Sequence, residues 1–144
     1  MRSIKFRAWN NELNKYVYDI QNCYDDMNGQ SFGGIIQNVK LGLSYSAIEQ
    51  FTGLYDKNNK PIYEGDILKW KIPCFMAGAE CYDGSIIPDF TEGCGEIRYK
   101  EYAFYCFDKD GQQNILGCDP SRNIEIIGNI HQDKDLLNGE ETKE

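Results

Sequence analysis

The chain has 144 residues, enough for one domain whose core needs neither a disulfide nor a metal ion. Its ten tyrosines and seven phenylalanines favour strands over long helices. The net charge of −8, with 15 basic residues that form no run, argues against direct binding to nucleic acid or to an anionic membrane.

A β-hairpin is predicted at the start of the chain. Ile4, Phe6 and Ala8 recur with a period of two, as on a strand with one buried face. Residues 10–15 then supply turn-forming asparagines, and residues 16–20 resume a run that favours a strand. We expect these segments to belong to an N-terminal hairpin lobe over residues 1–50.

The remainder of that lobe carries weaker signals. Residues 23–29 and 32–34 are rich in aspartate, asparagine and glycine, which is typical of loops. Residues 35–39 fit either a short strand or the start of a helix, which Gly42 would weaken. The sequence does not decide between those two structures.

A second hairpin is predicted at residues 50–63, with its turn at residues 56–60. The chain then continues past Gly65 into a further strand at residues 66–70. Four residues of the first hairpin recur at equal offsets in the second, so that Phe6, Asn14, Lys15 and Tyr18 correspond to Phe51, Asn59, Lys60 and Tyr63. Such a repeat indicates either a duplication or two turns of equal length that converged on the same residues.

A long stretch at residues 71–93, with two prolines and three glycines, interrupts the strands that follow. A loop of that length in a compact domain is usually functional or mobile, because binding residues concentrate on loops. A neutral insertion explains it equally well.

The last part of the chain reads as short strands. Strands are predicted at residues 95–99 and 103–107, with a tight turn at residues 108–111, and again at residues 123–130. A short helical turn at residues 133–137 and a polar tail at residues 138–144 complete the chain.

The predicted fold is mainly β. Tyr63-Glu64-Gly65-Asp66 followed by an apolar run commonly opens a strand in small five-stranded barrels such as Src-homology-three (SH3) domains. We therefore expect an SH3-like barrel lobe over residues 51–131, containing the insertion at residues 71–93. The two lobes together form a single domain over residues 1–137.

Three motifs in order carry a family resemblance. They are residues 4–9, Ile-Lys-Phe-Arg-Ala-Trp; residues 51–68, which begin Phe-Thr-Gly-Leu-Tyr-Asp; and residues 124–130, Ile-Glu-Ile-Ile-Gly-Asn-Ile. With these motifs the chain resembles the YopX family over nearly its whole length. The resemblance implies a β-rich product of a phage or prophage of low-GC Gram-positive bacteria, and it implies no established activity.

The candidate site residues are those of the family motifs, and we expect their roles to be structural. They are Trp9, Phe51, Thr52, Gly53, Leu54, Tyr63, Glu64, Gly65, Asp66, Gly128 and Asn129. No catalytic, cofactor-binding or metal-binding residue is assigned.

Several residues are of types that form catalytic or metal sites, but each of them has a simpler structural interpretation. The single histidine, His131, begins an acidic segment and is more simply a solvated side chain than a catalytic base. Glu64 and Asp66 lie two residues apart, but a turn-capping Asp66 is commoner than a carboxylate pair. Cys74, Cys81 and Cys94 could converge on a metal ion, although their spacing fits no zinc motif and ordinary thiols are the simpler reading.

The N-terminus lacks the apolar run of a signal peptide, so we expect a cytoplasmic protein with reduced cysteines. The function expected is that of a non-enzymatic accessory protein that acts by protein–protein contact, self-associates and needs no cofactor. Two alternatives stay open: a nucleic-acid-binding module built on the barrel, and an acidic inhibitor that occupies the basic groove of a host nucleic-acid enzyme.

Overall fold

The computed structural model describes residues 3–23, 31–74, 76–117 and 120–138. The protein is mainly β, as predicted, and its strands form two antiparallel sheets. The chain divides into two compact units, Met1–Gly53 and Leu54–Glu144. No helix in the described ranges is both long and apolar enough to cross a membrane.

The first unit contains the predicted N-terminal hairpin. Strands β1 (Phe6–Asn10) and β2 (Lys15–Tyr18) pair with each other, and β3 (Tyr45–Tyr55) pairs with the other edge of β1. A 3₁₀ turn at Ile20–Asn22 and a helix, α1 (Phe32–Lys40), complete the unit. Among the described residues, its core contains the buried side chains of Ala8, Ile20, Ile35 and Tyr45.

Helix α1 corrects the prediction of a loop at residues 32–34 and decides the open question at residues 35–39. Ser31 caps the helix, because its side-chain oxygen accepts a hydrogen bond from the backbone N–H of Gly34 at 3.0 Å. Phe32, Ile35 and Val39 lie on one face of the helix and pack in the core of the first unit. Burial of that face outweighs the low helix propensity of the two glycines in its first turn.

The described part of the second unit includes six strands in addition to the end of β3, and five of them form one sheet. The strands are β4 (Pro61–Tyr63), β5 (Asp66–Pro73), β6 (Phe90–Lys100), β7 (Ala103–Asp108), β8 (Gly111–Gln113) and β9 (Ile124–Asn129). β4 lies beside β3, whose last two residues belong to this unit, and the other strands follow the order β8-β7-β6-β5-β9. A short helix, α2 (Pro120–Asn123), precedes β9, and a 3₁₀ turn at Lys134–Asn138 follows it.

The five-stranded sheet curls into a half-barrel. This half-barrel corresponds to the predicted barrel lobe. The described part of its core contains the buried residues Ile62, Leu68, Trp70, Ile97, Cys106, Ile115 and Ile124. β8 and α2 were not predicted, since both are too short to give a periodic pattern. The predicted helical turn near residue 135 is present.

Two glycines of β6 are required by the packing of this core. Trp70 lies opposite Gly93 on the neighbouring strand, and a Cβ atom added to Gly93 would lie 2.2 Å from the indole ring. A Cβ atom added to Gly95 would lie 2.7 Å from Cys106 Sγ. The bare backbone of β6 therefore forms the surface on which Trp70 and Cys106 pack.

We expect Gly93→Ala to destabilise the protein by about 1–3 kcal/mol, because the added methyl group displaces the Trp70 ring. Urea denaturation measures the effect. The matched control is Gly33→Ala in α1, where nothing lies within 4 Å of the added Cβ atom; it should be neutral or stabilising by up to about 1 kcal/mol. Equal unfolding midpoints for Gly93→Ala and the wild type would contradict this packing.

Candidate functional site

The Tyr63–Asp66 segment is a turn that connects β4 to β5. It also forms backbone hydrogen bonds with β6 and with the residue that follows β9. The Asp66 carboxylate is buried and accepts a hydrogen bond from the backbone N–H of Tyr63 at 2.8 Å. Gly65 has a φ of 79°, donates its N–H to the carbonyl of Ile97 and accepts the N–H of Ile130. Asp66 is thus engaged with backbone inside the turn.

Asp56 has a structural role that sequence analysis did not identify. Its carboxylate is 1% exposed and accepts the backbone N–H groups of Asn58 and Lys60 at 2.9 Å through one oxygen. The other oxygen accepts the N–H of Ile126 in β9 at 3.0 Å. An aspartate at the start of a turn predicts the first two bonds, but no sequence signal indicates a partner 70 residues away.

The Gly128–Asn129 motif reverses the chain after β9. A Cβ atom added to Gly128 would lie 2.5 Å from Asp133 Oδ2, which also accepts the N–H of Asn129 at 3.0 Å. The Asn129 side chain accepts the backbone N–H of His131 at 2.9 Å and that of Gln132 at 3.1 Å. The motif therefore fixes the segment that contains the single histidine.

The remaining motif residues are buried or partly buried, or have a positive φ. Trp9, Phe51, Thr52 and Tyr63 are buried, and Leu54 packs against the core of the second unit. Gly53 has a φ of 90°, and Glu64 is half-buried.

The surface feature that stands out is a two-stranded ribbon at residues 71–74 and 76–92, which we call the arm. β5 and β6 pair as far as Pro73 and Phe90, but β9 pairs with β5 only up to Trp70, and β7 pairs with β6 only from Glu96. The prediction of a loop over residues 71–93 is thus wrong at both ends, because the ribbon continues the ladder of the sheet.

The central part of the arm is a hairpin ordered by backbone hydrogen bonds. Cys74 donates its N–H to Asp89, and an isolated bridge joins Glu80 to Ile86. Near the turn, Cys81 donates its N–H to the carbonyl of Ser85 at 2.7 Å. Gly84, at the turn, has a φ of 82°, which a glycine adopts without strain.

The arm exposes large apolar side chains although its backbone is ordered. Tyr82 is fully exposed, Met76 and Ile86 are each 60% exposed, and Phe90 is 44% exposed. No described side chain of the arm is buried. An ordered ribbon that presents apolar groups to solvent is typical of an interaction site.

Negative charge dominates the arm beyond its base. At the base, Lys71 pairs with Glu92 at 3.1 Å. Between Lys71 and Arg98 the sequence contains five carboxylates and no basic residue. Asp83 accepts hydrogen bonds from the side chain and the backbone of Ser85, which hold the pKa of Asp83 below its ordinary value.

A groove of about 530 Å³ lies on the second unit, with Lys69 and Cys94 beside Leu136 and Leu137. Cys94 Sγ lies 3.7 Å from the carbonyl oxygen of Leu136, to which it donates. Burial raises the pKa of Cys94, so its thiol is neutral near pH 7. The groove therefore presents no activated nucleophile at this position.

The three cysteines that could have bound a metal ion have different neighbours. Cys74 Sγ lies 3.1 Å from Thr91 Oγ1, Cys81 is exposed, and Cys94 faces Leu136. Among the described residues, no group of three histidine, cysteine, aspartate or glutamate side chains is arranged to hold a metal ion. Cys118 lies outside the described residues.

We expect the cysteines to differ in reactivity. Burial raises the pKa of Cys106 to about 12, so its thiol stays protonated far above neutral pH. Iodoacetamide at about pH 8, near the ordinary thiol pKa, should modify exposed Cys81 rapidly and Cys106 only after unfolding in urea. Peptide mass spectrometry resolves the two sites. Equal rates in the native protein would contradict the burial of Cys106.

Comparison with known proteins agrees with this architecture. The crystal structure of protein EF1440 from Enterococcus faecalis is similar, with 25% identity and a TM-score of 0.52 over 95% of this chain and 99% of that chain. Among curated proteins none matches this chain. The sequence model described as YopX protein matches residues 5–138. With its motifs placed in turns and cores, and that match over nearly its whole length, this chain belongs to the YopX family.

Proposed function

We propose that this protein is a non-catalytic accessory protein of a phage or prophage, which acts inside the bacterial host cell by binding another protein through its arm. The observation that supports the proposal is the combination of an ordered backbone with exposed Met76, Tyr82, Ile86 and Phe90.

Physical chemistry favours protein as the partner. A two-stranded ribbon alone is marginally stable in water, so the arm depends on the sheet from which it extends. Aromatic residues and methionine are enriched at the centres of protein interfaces. Burying one large apolar side chain contributes about 1.5–3 kcal/mol. Carboxylates on the same ribbon disfavour nucleic acid, since they repel phosphates.

We expect Ile86→Ser to weaken partner binding about tenfold or more. Tagged protein is used to capture proteins from a lysate of a low-GC Gram-positive host, and the captured protein is then purified and titrated by calorimetry. The matched control is Ile4→Ser, since Ile4 is 64% exposed and lies outside the arm. Wild-type affinity for Ile86→Ser, with binding intact for Ile4→Ser, would refute the role of the arm.

Self-association is the second part of the proposal, and three exposed leucines of the first unit support it. Leu13 lies in the turn after β1, while Leu41 and Leu43 follow α1. The two segments are joined, because Asn11 donates its N–H to the carbonyl of Ser44 at 2.7 Å. Exposed leucines on adjacent segments provide an apolar surface for a second copy.

We expect size-exclusion chromatography with light scattering to give a mass above the 16.6 kDa of one chain. Leu41→Ser with Leu43→Ser should lower that mass, because the apolar surface is removed, whereas Ile86→Ser should leave it unchanged. A monomer at high protein concentration would remove self-association and leave arm-mediated binding standing.

A further inference from the structure

Three cations of this protein share one arrangement. Each lies over an aromatic ring, 3.7–5.0 Å from the ring centroid, and pairs with a carboxylate at 2.8–3.1 Å. The three sets are Arg7 with Tyr16 and Glu49, Lys71 with Phe90 and Glu92, and Arg98 with Phe107 and Glu96. The ring face and the carboxylate attract the same cation, so the two contacts reinforce each other.

The tip of the arm, Tyr82 and Asp83, contains the ring and the carboxylate of such a set. Tyr82 is fully exposed, and both faces of its ring are open to a partner. Asp83 Oδ1 accepts the N–H of Ser85 at 3.0 Å and its hydroxyl at 2.6 Å, so the carboxylate is held in place. Within the described ranges no lysine or arginine forms an ion pair with Asp83.

We infer that the tip binds an arginine side chain of the partner protein, with the guanidinium stacked on Tyr82 and hydrogen-bonded to the Asp83 carboxylate. This inference rests on the proposed function and adds the chemistry of the partner. The planar guanidinium can stack and donate two hydrogen bonds at once, whereas the lysine ammonium is compact and strongly hydrated. Ile86 supplies an apolar contact on the same ribbon.

Charge identifies the partner as a basic surface and disfavours the arm of a second copy at this position. The charged side chains of the arm beyond its base are all negative, and the whole chain has a net charge of −8. Two arms brought together would place carboxylates against carboxylates. A basic, arginine-bearing surface on a different protein is complementary.

The chain offers a matched comparison at the turn between β6 and β7. Tyr102 is 96% exposed and follows Glu101, so this turn also contains a ring and a carboxylate. It differs in two respects: Lys100 directly precedes it, and no hydrogen bond to the Glu101 carboxylate is present among the described residues. Arginine should therefore prefer the tip of the arm.

The test is an NMR titration of the full-length, ¹⁵N-labelled protein with the blocked peptide Ala-Ala-Arg-Ala-Ala and with its lysine counterpart. We expect the arginine peptide to shift resonances of residues 81–85, and the lysine peptide to bind about two- to fivefold more weakly. Tyr82→Ala and Asp83→Asn should each weaken arginine binding by a similar factor. Tyr102→Ala should leave it unchanged.

The substitutions are chosen to preserve the fold. Asp83→Asn keeps an Oδ1 atom to accept the N–H of Ser85, while it removes the negative charge and replaces the second acceptor oxygen with an NH₂ donor. Resonances that are unchanged except near the substituted residue verify that each variant is folded.

Three outcomes would overturn the inference: unchanged arginine binding by Asp83→Asn, equal affinity for both peptides, or equal shifts at the arm tip and at Glu101–Tyr102. In each case loss of partner binding by Ile86→Ser would still support the proposed function. Conversely, arginine binding at the tip together with full partner binding by Ile86→Ser would support the tip chemistry and refute the role of the arm in that interaction.

Discussion

The contact of the Trp70 ring with the bare backbone of Gly93 determines how the second unit is built. The two residues face each other across β5 and β6, and no side chain larger than hydrogen fits opposite the indole. The ring lies at the point where β9 stops pairing with β5, so it joins the core of the half-barrel to the base of the arm. A ribbon whose described side chains are all at least partly exposed depends on such an anchor for its order.

Carboxylates of this acidic protein have two different uses. Asp56, Asp66 and Asp133 accept hydrogen bonds from backbone N–H groups and stabilise turns, so these carboxylates have a structural role. The carboxylates of the arm remain on the surface beside apolar side chains. Asp66, one of the motif residues of the family, belongs to the first group and stabilises the turn between β4 and β5.

Much of the fold could be predicted because turns and strands have local signatures. Asn14 and Asn59, which occupy equal offsets in the two hairpins, both have positive φ, at 49° and 60°. Asparagine tolerates that conformation, so turn geometry alone accounts for part of the repeat. α1 was missed at its first turn because Gly33 and Gly34 resemble a loop, and its apolar spacing covers only nine residues. The arm was read as a loop because Thr91, Glu92 and Gly93 show no alternation.

The amino-acid sequence by itself determined the mainly β class, the two hairpins, the Gly65–Asp66 turn and the family, since each depends on neighbouring residues and their backbone preferences. Tertiary structure alone decided that Asp56 binds Ile126, that Gly93 accommodates Trp70, and that the arm forms an ordered, exposed ribbon. These features depend on which residues, distant in sequence, the fold brings into contact. The environment of a strand residue is set by its neighbours on adjacent strands, which its own segment of sequence does not specify.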